Sequence, residues 1–203
     1  HYTTTKQVVV PPPKSFDIRF SNYCNLECVM CDPQNSSAIA TRVLNYSLKE
    51  SISNVYNSRE NTNTHKTTLE FLYKNIHELR ELVLAGGEPF YMKTVQKFLK
   101  QLSTHEWNCN NTRIQIQTNG VSNTPKLLNI LSKFKKLEFS ISVDGWGSVN
   151  DLIRFPTKHK DFLKNTQELV DLNCDHLYFN ITVQAMNLPN VDKLVTKLQE
   201  NWN

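Results

Sequence analysis

Apolar and polar residues alternate along four stretches of this chain. Phe16, Ile18 and Phe20 alternate with Asp17 and Arg19, and Ile114 and Ile116 with Gln115 and Gln117. Leu137, Phe139, Ile141 and Val143 alternate with Glu138, Ser140 and Ser142, and Leu177, Phe179, Ile181 and Val183 with Tyr178, Asn180 and Thr182. A period of two marks a strand with one apolar and one polar face. A fifth stretch, Leu82-Val83-Leu84-Ala85, is apolar throughout and stops at Gly86-Gly87-Glu88-Pro89. Helical spacing fills the intervals. Ser36 or Ser37 caps a helix running to about Leu48, and Thr67 or Thr68 caps another carrying Leu69, Leu72 and Ile76. Further helices are predicted over Thr94 to Leu102, from Thr124-Pro125 onward, over Lys160 to Leu172, and after Pro189 with Val191, Leu194, Val195 and Leu198 on one face. Asn45 to Thr64 is rich in Asn and Ser, with weak helical character near Ile52 to Tyr56, and reads as an insertion on the rim.

Strands alternating with helices predict an α/β fold with right-handed crossovers and a parallel sheet. Parallel strands covered on both faces read as continuous apolar runs, and four of these five do not. One face therefore sits under the helices and the other meets water or a polar ligand. A filled barrel would line its interior with branched apolar side chains. A polar interior predicts instead an open, curved sheet around a large ligand. An antiparallel sheet with one wet side is disfavoured by the intervening helices.

Composition narrows the class. The chain of 203 residues, 39% hydrophobic, is the size of one large domain or part of one. It has no apolar run long enough to span a bilayer and no signal-peptide pattern, so no membrane partner is expected. The net charge of +4 is mild, and the Lys133-Phe134-Lys135-Lys136 cluster reads as a solvated helix end, so no nucleic acid is expected. Five cysteines, three of them clustered, do not form a disulfide framework and fit a reducing cytoplasm. Residues 1–14, with Pro11-Pro12-Pro13, read as an extended lead-in strap, and residues 15–203 as the core domain. The start at His1 and the end at Asn203 after a helix-like segment lead us to expect a fragment of a longer protein.

The clustered cysteines carry the chemistry. Cys24, Cys28 and Cys31 fall on the loop leaving the first strand. A structural zinc wants four ligands. Three thiolates on a cubane iron–sulfur cluster leave one iron open, and an open metal position is where chemistry happens. Two other readings stand beside this one. Asp32 or a distant histidine would complete a zinc site in a binding module for RNA or protein. Alternatively the i, i+4, i+7 spacing would line a buried helix face with inert thiols, although Asn22, Asn25 and Asp32-Pro33 argue against a helix there. Cys109 and Cys174 are isolated and read as ordinary loop or core thiols.

Cys-x3-Cys-x2-Cys after a first strand resembles the cluster loop of the radical S-adenosylmethionine (SAM) superfamily. Gly86-Gly87-Glu88-Pro89 matches its GGEP motif, and Thr118-Asn119-Gly120 resembles the Thr-Asn-Gly many members carry. Ser142-Val143-Asp144-Gly145 is similar to the Ser-x-Asp-Gly of the branch with SPASM or twitch extensions. The resemblance covers about Ser15 to Asn203 and implies a partial, TIM-like (βα)6 barrel, of which about five strand–helix units are visible. It implies a 4Fe–4S cluster on Cys24, Cys28 and Cys31, with SAM chelating the open iron. One electron from the cluster then cleaves SAM to a 5′-deoxyadenosyl radical that abstracts a substrate hydrogen. It further implies SAM contacts from Met30, Gly86, Gly87, Glu88, Pro89, Thr118, Asn119, Ser142, Asp144 and Asn180, with Arg154 gripping the SAM carboxylate. Met30 stands where many relatives carry an aromatic residue, so ring stacking on adenine is lost. The branch implies a peptide or protein substrate, with a small molecule as the runner-up, and an external flavodoxin- or ferredoxin-like electron donor. No residue is identified as a substrate acid or base. A degenerate barrel without turnover is a third possibility, opposed by the intact cysteines, Gly86-Gly87 and Ser142.

Overall fold

The computed structural model describes residues 11–46 and 62–202. Strand β1 (Ser15–Arg19) leads into α1 (Ser37–Tyr46) and α2 (Thr62–Lys74). Strand β2 (Glu81–Ala85) precedes α3 (Lys93–Leu102) and α4 (Glu106–Asn111). Then follow β3 (Arg113–Thr118), α5 (Pro125–Leu131), β4 (Leu137–Ser142), α6 (Ser148–Ile153), α7 (His159–Val170), β5 (His176–Asn180) and α8 (Val191–Trp202). The strands form one five-stranded sheet in the order β1-β2-β3-β4-β5, every neighbouring pair parallel.

The register carries the two-faced pattern across the whole sheet. Phe16 pairs Leu82, Leu82 pairs Ile114, Ile114 pairs Leu137, and Phe139 pairs Leu177. Each pairing puts apolar beside apolar on one side. Leu82, Leu84, Ile116, Phe139 and Ile141 are fully buried there, under Phe98 and Leu99 of α3, Leu131 of α5, Phe162 of α7 and Leu194 of α8. That core holds the helices against the sheet by burial of apolar surface, at roughly 25 cal/mol per Å².

The opposite face carries Asp17, Arg19, Glu81, Arg113, Gln115, Gln117, Glu138, Ser140, Ser142 and Asn180 by the same register. Its polar groups close partly on one another. Arg113 lies 3.8 Å from Glu81 and 3.4 Å from Glu138, and Asn180 donates to the Ser140 hydroxyl. Glu138 and Ser140 are consequently buried, so over β4 the polar face is covered by its neighbours and not by water.

Several boundaries move. The helix expected to start at Thr67 or Thr68 begins at Thr62, and Ile76 sits in a separate 3-10 turn, Ile76–Glu78. The strand expected to reach Val183 ends at Asn180. There the Thr182 N–H turns away to donate to Asp144, and the Gln184 N–H to Asn187. Two short helices carried no signal in the alternation, α4 and α6. The first helix does start at Ser37, with the Ser36 hydroxyl accepting from the Ile39 N–H as its cap. The Ile52–Tyr56 helix and most of the expected strap and rim insertion lie outside the described residues.

Candidate functional site

The cysteine loop is held open by side chains that replace helical hydrogen bonds. The Ser37 hydroxyl accepts from the Cys24 N–H and donates to the Cys24 carbonyl, and the Ser36 hydroxyl donates to the Leu26 carbonyl. Leu26 is buried between Cys24 and Cys28, and all three line one cavity. The Glu27 and Val29 N–H groups donate to the carbonyls of Phe155 and Ile153, which docks the loop on the end of α6. No helix runs through the cysteines, and the inert-helix reading falls with it.

Gly86 and Gly87 face this loop. Both have positive φ, +79° and +51°. A Cβ on Gly87 would lie 2.5 Å from the Tyr23 carbonyl oxygen. The bare backbone at Gly87 is thus needed first for the approach of the cysteine loop, which the Glu88 N–H then ties by donating to the same Tyr23 carbonyl.

Together these loops and the carboxyl ends of the strands enclose a cavity of about 450 Å³. Of the expected residues, Cys24, Cys28, Met30, Cys31, Gly86, Gly87, Thr118, Asn119, Ser142, Arg154 and Asn180 line it, as does Thr182. Glu88, Pro89 and Asp144 are not on its wall. Arg19, Gln117 and Asn35 are on it and were not expected. Arg19 and Gln117 share the polar parity of their strands one residue before the strand end or at it, and that parity was the available signal.

Glu88 is completely buried behind the wall. Its Oε1 accepts from the Phe90 N–H and the Thr118 hydroxyl, and its Oε2 from the Asn119 N–H. It locks the Gly86–Pro89 loop to the end of β3, and the Asn119 amide reaches on to the Asn25 side chain in the cysteine loop. Burial pushes the Glu88 carboxyl up to about 7, against those three donors, which pull it down. A carboxyl with a raised folded pKa takes up a proton on folding, so its contribution is full below about pH 4.5 and falls as pH rises toward 7. Urea unfolding between pH 5 and 8 should therefore show a falling stability, with a Glu88 share of up to about 1.4 kcal/mol per pH unit, and Glu88→Gln should flatten that slope. Equal slopes in both proteins would contradict the assignment.

Asp144, for which the resemblance implies a SAM contact, is also completely buried and does not line the cavity. Strand β4 ends at Ser142, so alternation no longer decides where residue 144 points. Its Oδ1 accepts from the Thr182 N–H, and its Oδ2 lies 2.7 Å from Arg154 Nε in an ion pair without hydrogen-bond alignment. Arg154 Nη1 donates toward Cys28 Sγ at 3.9 Å. The guanidinium expected to grip a SAM carboxylate therefore already has a carboxylate partner and a thiol partner.

The three thiols are half-buried. Burial raises Cys24 to about 11 and pushes Cys28 and Cys31 up as well, while Arg154 draws Cys28 back down. Thiolates are the ligands, so a metal group binding here would displace protons. Among the described residues no three His, Cys, Asp or Glu side chains converge as a single ion requires. The fit of a cluster rests on the soft donor set and its shared wall. No histidine lines the cavity, and Asp32 already accepts from the Gln34 and Asn35 N–H groups and from the Asn35 amide. Cys109 and Cys174 pack part-buried against the core, away from it.

A model of the radical SAM superfamily matches residues 18–194. The uncharacterized protein MJ0907 of Methanocaldococcus jannaschii is 25% identical over 191 residues, covering 91% of this chain and 58% of that protein. Among solved structures, Streptococcus suis SuiB matches with a TM-score of 0.58 at 17% identity, over 93% of this chain and 37% of that one. The tagged anSMEcpe structure with bound AdoMet matches with a TM-score of 0.61 at 19% identity, over 93% of this chain and 49% of that one. These structural likenesses establish the fold. The chain spans little more than half of MJ0907 and less than half of either solved protein.

Proposed function

Because the chain belongs to the radical SAM superfamily, we propose that it is an enzyme core that binds one 4Fe–4S cluster through Cys24, Cys28 and Cys31, and SAM in the adjoining cavity. The observation that carries this reading is the shared wall: three thiols, the bare backbone of Gly86 and Gly87, and the polar side chains of Ser142 and Asn180 all line one 450 Å³ space. When bound, the cluster supplies the single electron that cleaves SAM to a hydrogen-abstracting 5′-deoxyadenosyl radical. The chain's own residues orient the cofactor. Gly86 and Gly87 present backbone groups to the SAM amino group, and the Met30 backbone meets the adenine. Ser142 lies by the ribose and methionyl part, and Thr118, Asn119 and Asn180 complete the polar wall. Glu88 and Asp144 act from behind it by fixing the loops.

The substrate we propose is a peptide or protein. SuiB has been solved with its precursor peptide SuiA, and anSMEcpe with the Cp18Cys peptide, and both share this fold. The reading also includes an external flavodoxin- or ferredoxin-like electron donor and a cytoplasmic setting. Among the described residues no helix is long and apolar enough to cross a membrane. Anaerobic reconstitution with iron and sulfide is the test. A brown protein that cleaves SAM when dithionite is supplied is the expected result, and a colourless protein that takes up zinc instead would overturn it.

A further inference from the structure

Among the described residues, the charged side chains on the cavity wall are Arg19, Asp32 and Arg154. Two of them are already engaged. Asp32 accepts from the Gln34 and Asn35 N–H groups, and Arg154 lies 2.7 Å from Asp144. Arg19 at the end of β1 is held far more loosely. Its carboxylate partner, Asp17, stands two residues back along the same strand at 3.9 Å, and both side chains are more than half exposed. An exposed pair at that distance contributes little, so the guanidinium can exchange Asp17 for a better-placed anion.

The stem of Arg19 is fixed while its head is free. A Cβ on Gly86 would lie 3.0 Å from Arg19 Cβ and 3.3 Å from its Cγ, so the aliphatic stem lies against the bare Gly86 backbone. The register sets Arg19 beside Ala85 and Leu84 beside Ile116, which brings Ala85 level with Gln117. Ala85 puts only a methyl between Arg19 and Gln117, and both of these reach the same cavity. On the far side of Gln117 stands Ser140, whose hydroxyl is taken by the Asn180 amide. The SAM contacts proposed above use neither Arg19 nor Gln117.

We propose that Arg19 and Gln117 form the substrate subsite of this cavity, and that it takes a carboxylate: an Asp or Glu side chain, or the C-terminal carboxylate, of the peptide. The inference rests on the reading of this cavity as the SAM and peptide site. A guanidinium meets a carboxylate with two parallel N–H donors, and the Gln117 NH2 supplies a further donor from the next polar strand. A neutral amide in the same place would leave the guanidinium without its charge partner, so the subsite discriminates acid from amide.

Ligand-observed NMR on the cluster-reconstituted, SAM-loaded protein tests this with two acid and amide pairs. N-acetylglutamate α-amide against N-acetylglutamine α-amide reports a side-chain carboxylate. N-acetyl-alanyl-alanine against its C-terminal amide reports a chain end. The wild type should bind the acid of one pair about tenfold more tightly than its amide, and the pair that discriminates names the source. Arg19→Gln should erase that preference while SAM affinity changes by less than about threefold. Lys135→Gln, which removes an exposed cation ahead of β4, should keep it. Arg19→Met retains an aliphatic stem over Gly86 and carries the test if the Gln protein does not fold. Equal binding of acid and amide by the wild type, or none of either, overturns the inference, and so does a preference that survives in Arg19→Gln. A tenfold loss of SAM affinity in that variant also overturns it, by placing Arg19 in the SAM site. A wild-type protein that takes up neither cluster nor SAM would instead sink the reading beneath the inference, and the inference with it.

Discussion

Alanine at Cys24, Cys28 or Cys31 is expected to reduce iron bound after anaerobic reconstitution from about four per protein to near zero, while Cys109→Ala and Cys174→Ala bind as the wild type does. The three loop thiols line one cavity, and the other two pack against the hydrophobic core. Only the thiolate ligates, and desolvation pushes all three loop thiols up, Cys24 to about 11, so each Cys–iron bond must also offset a deprotonation cost. With one ligand gone, two such bonds are left to hold a cubane. Iron and sulfide analysis with visible absorption is the readout. Equal iron in the Cys28→Ala and Cys109→Ala proteins would remove the loop from the metal site.

Ile141→Ser is expected to cost about 3–5 kcal/mol of folding stability, whereas Ser142→Val, one residue along the same strand, should cost less than about 1 kcal/mol. Ile141 is completely buried, and it packs so tightly that a Cβ on Gly120 would lie 3.1 Å from its Cγ2. Serine there removes apolar volume that close-packed neighbours cannot refill, and buries a hydroxyl. Ser142 lines the cavity with its side chain half-exposed, so valine meets no core wall. Marginal total stability makes the first loss large enough to lower the melting temperature by about 10 °C. The Ser142→Val protein should melt normally yet lose the stabilisation that SAM gives the reconstituted wild type. A normal melt for Ile141→Ser, together with full SAM stabilisation of Ser142→Val, would mean the faces of the sheet are assigned in reverse.

The residues involved show which parts of the site were legible. Period-two alternation identified the apolar faces of β1, β3, β4 and β5, because a side chain's side of a strand follows from parity alone. The same parity would have found Arg19 and Gln117 on the cavity wall. It does not reach Asp144, because parity stops where the strand stops, and β4 ends two residues earlier. It also overextended β5, because a buried carboxylate distant in sequence draws the Thr182 N–H out of line.

By itself, then, the sequence determined the alternation of strands and helices, the parallel two-faced sheet, and the three thiols leaving β1. These features are periodic or local, so each is written within a few neighbouring residues. Only the tertiary structure decided that Gly87 is bare because Tyr23 crosses it, and that Glu88 works behind the wall through Thr118 and Asn119. It alone placed Arg154 between Asp144 and Cys28, partners 10 and 126 positions away along the chain. Such pairings depend on where separate loops meet at the carboxyl end of the sheet. Burial there favours pairing of polar groups, and no local pattern names which partner each one meets.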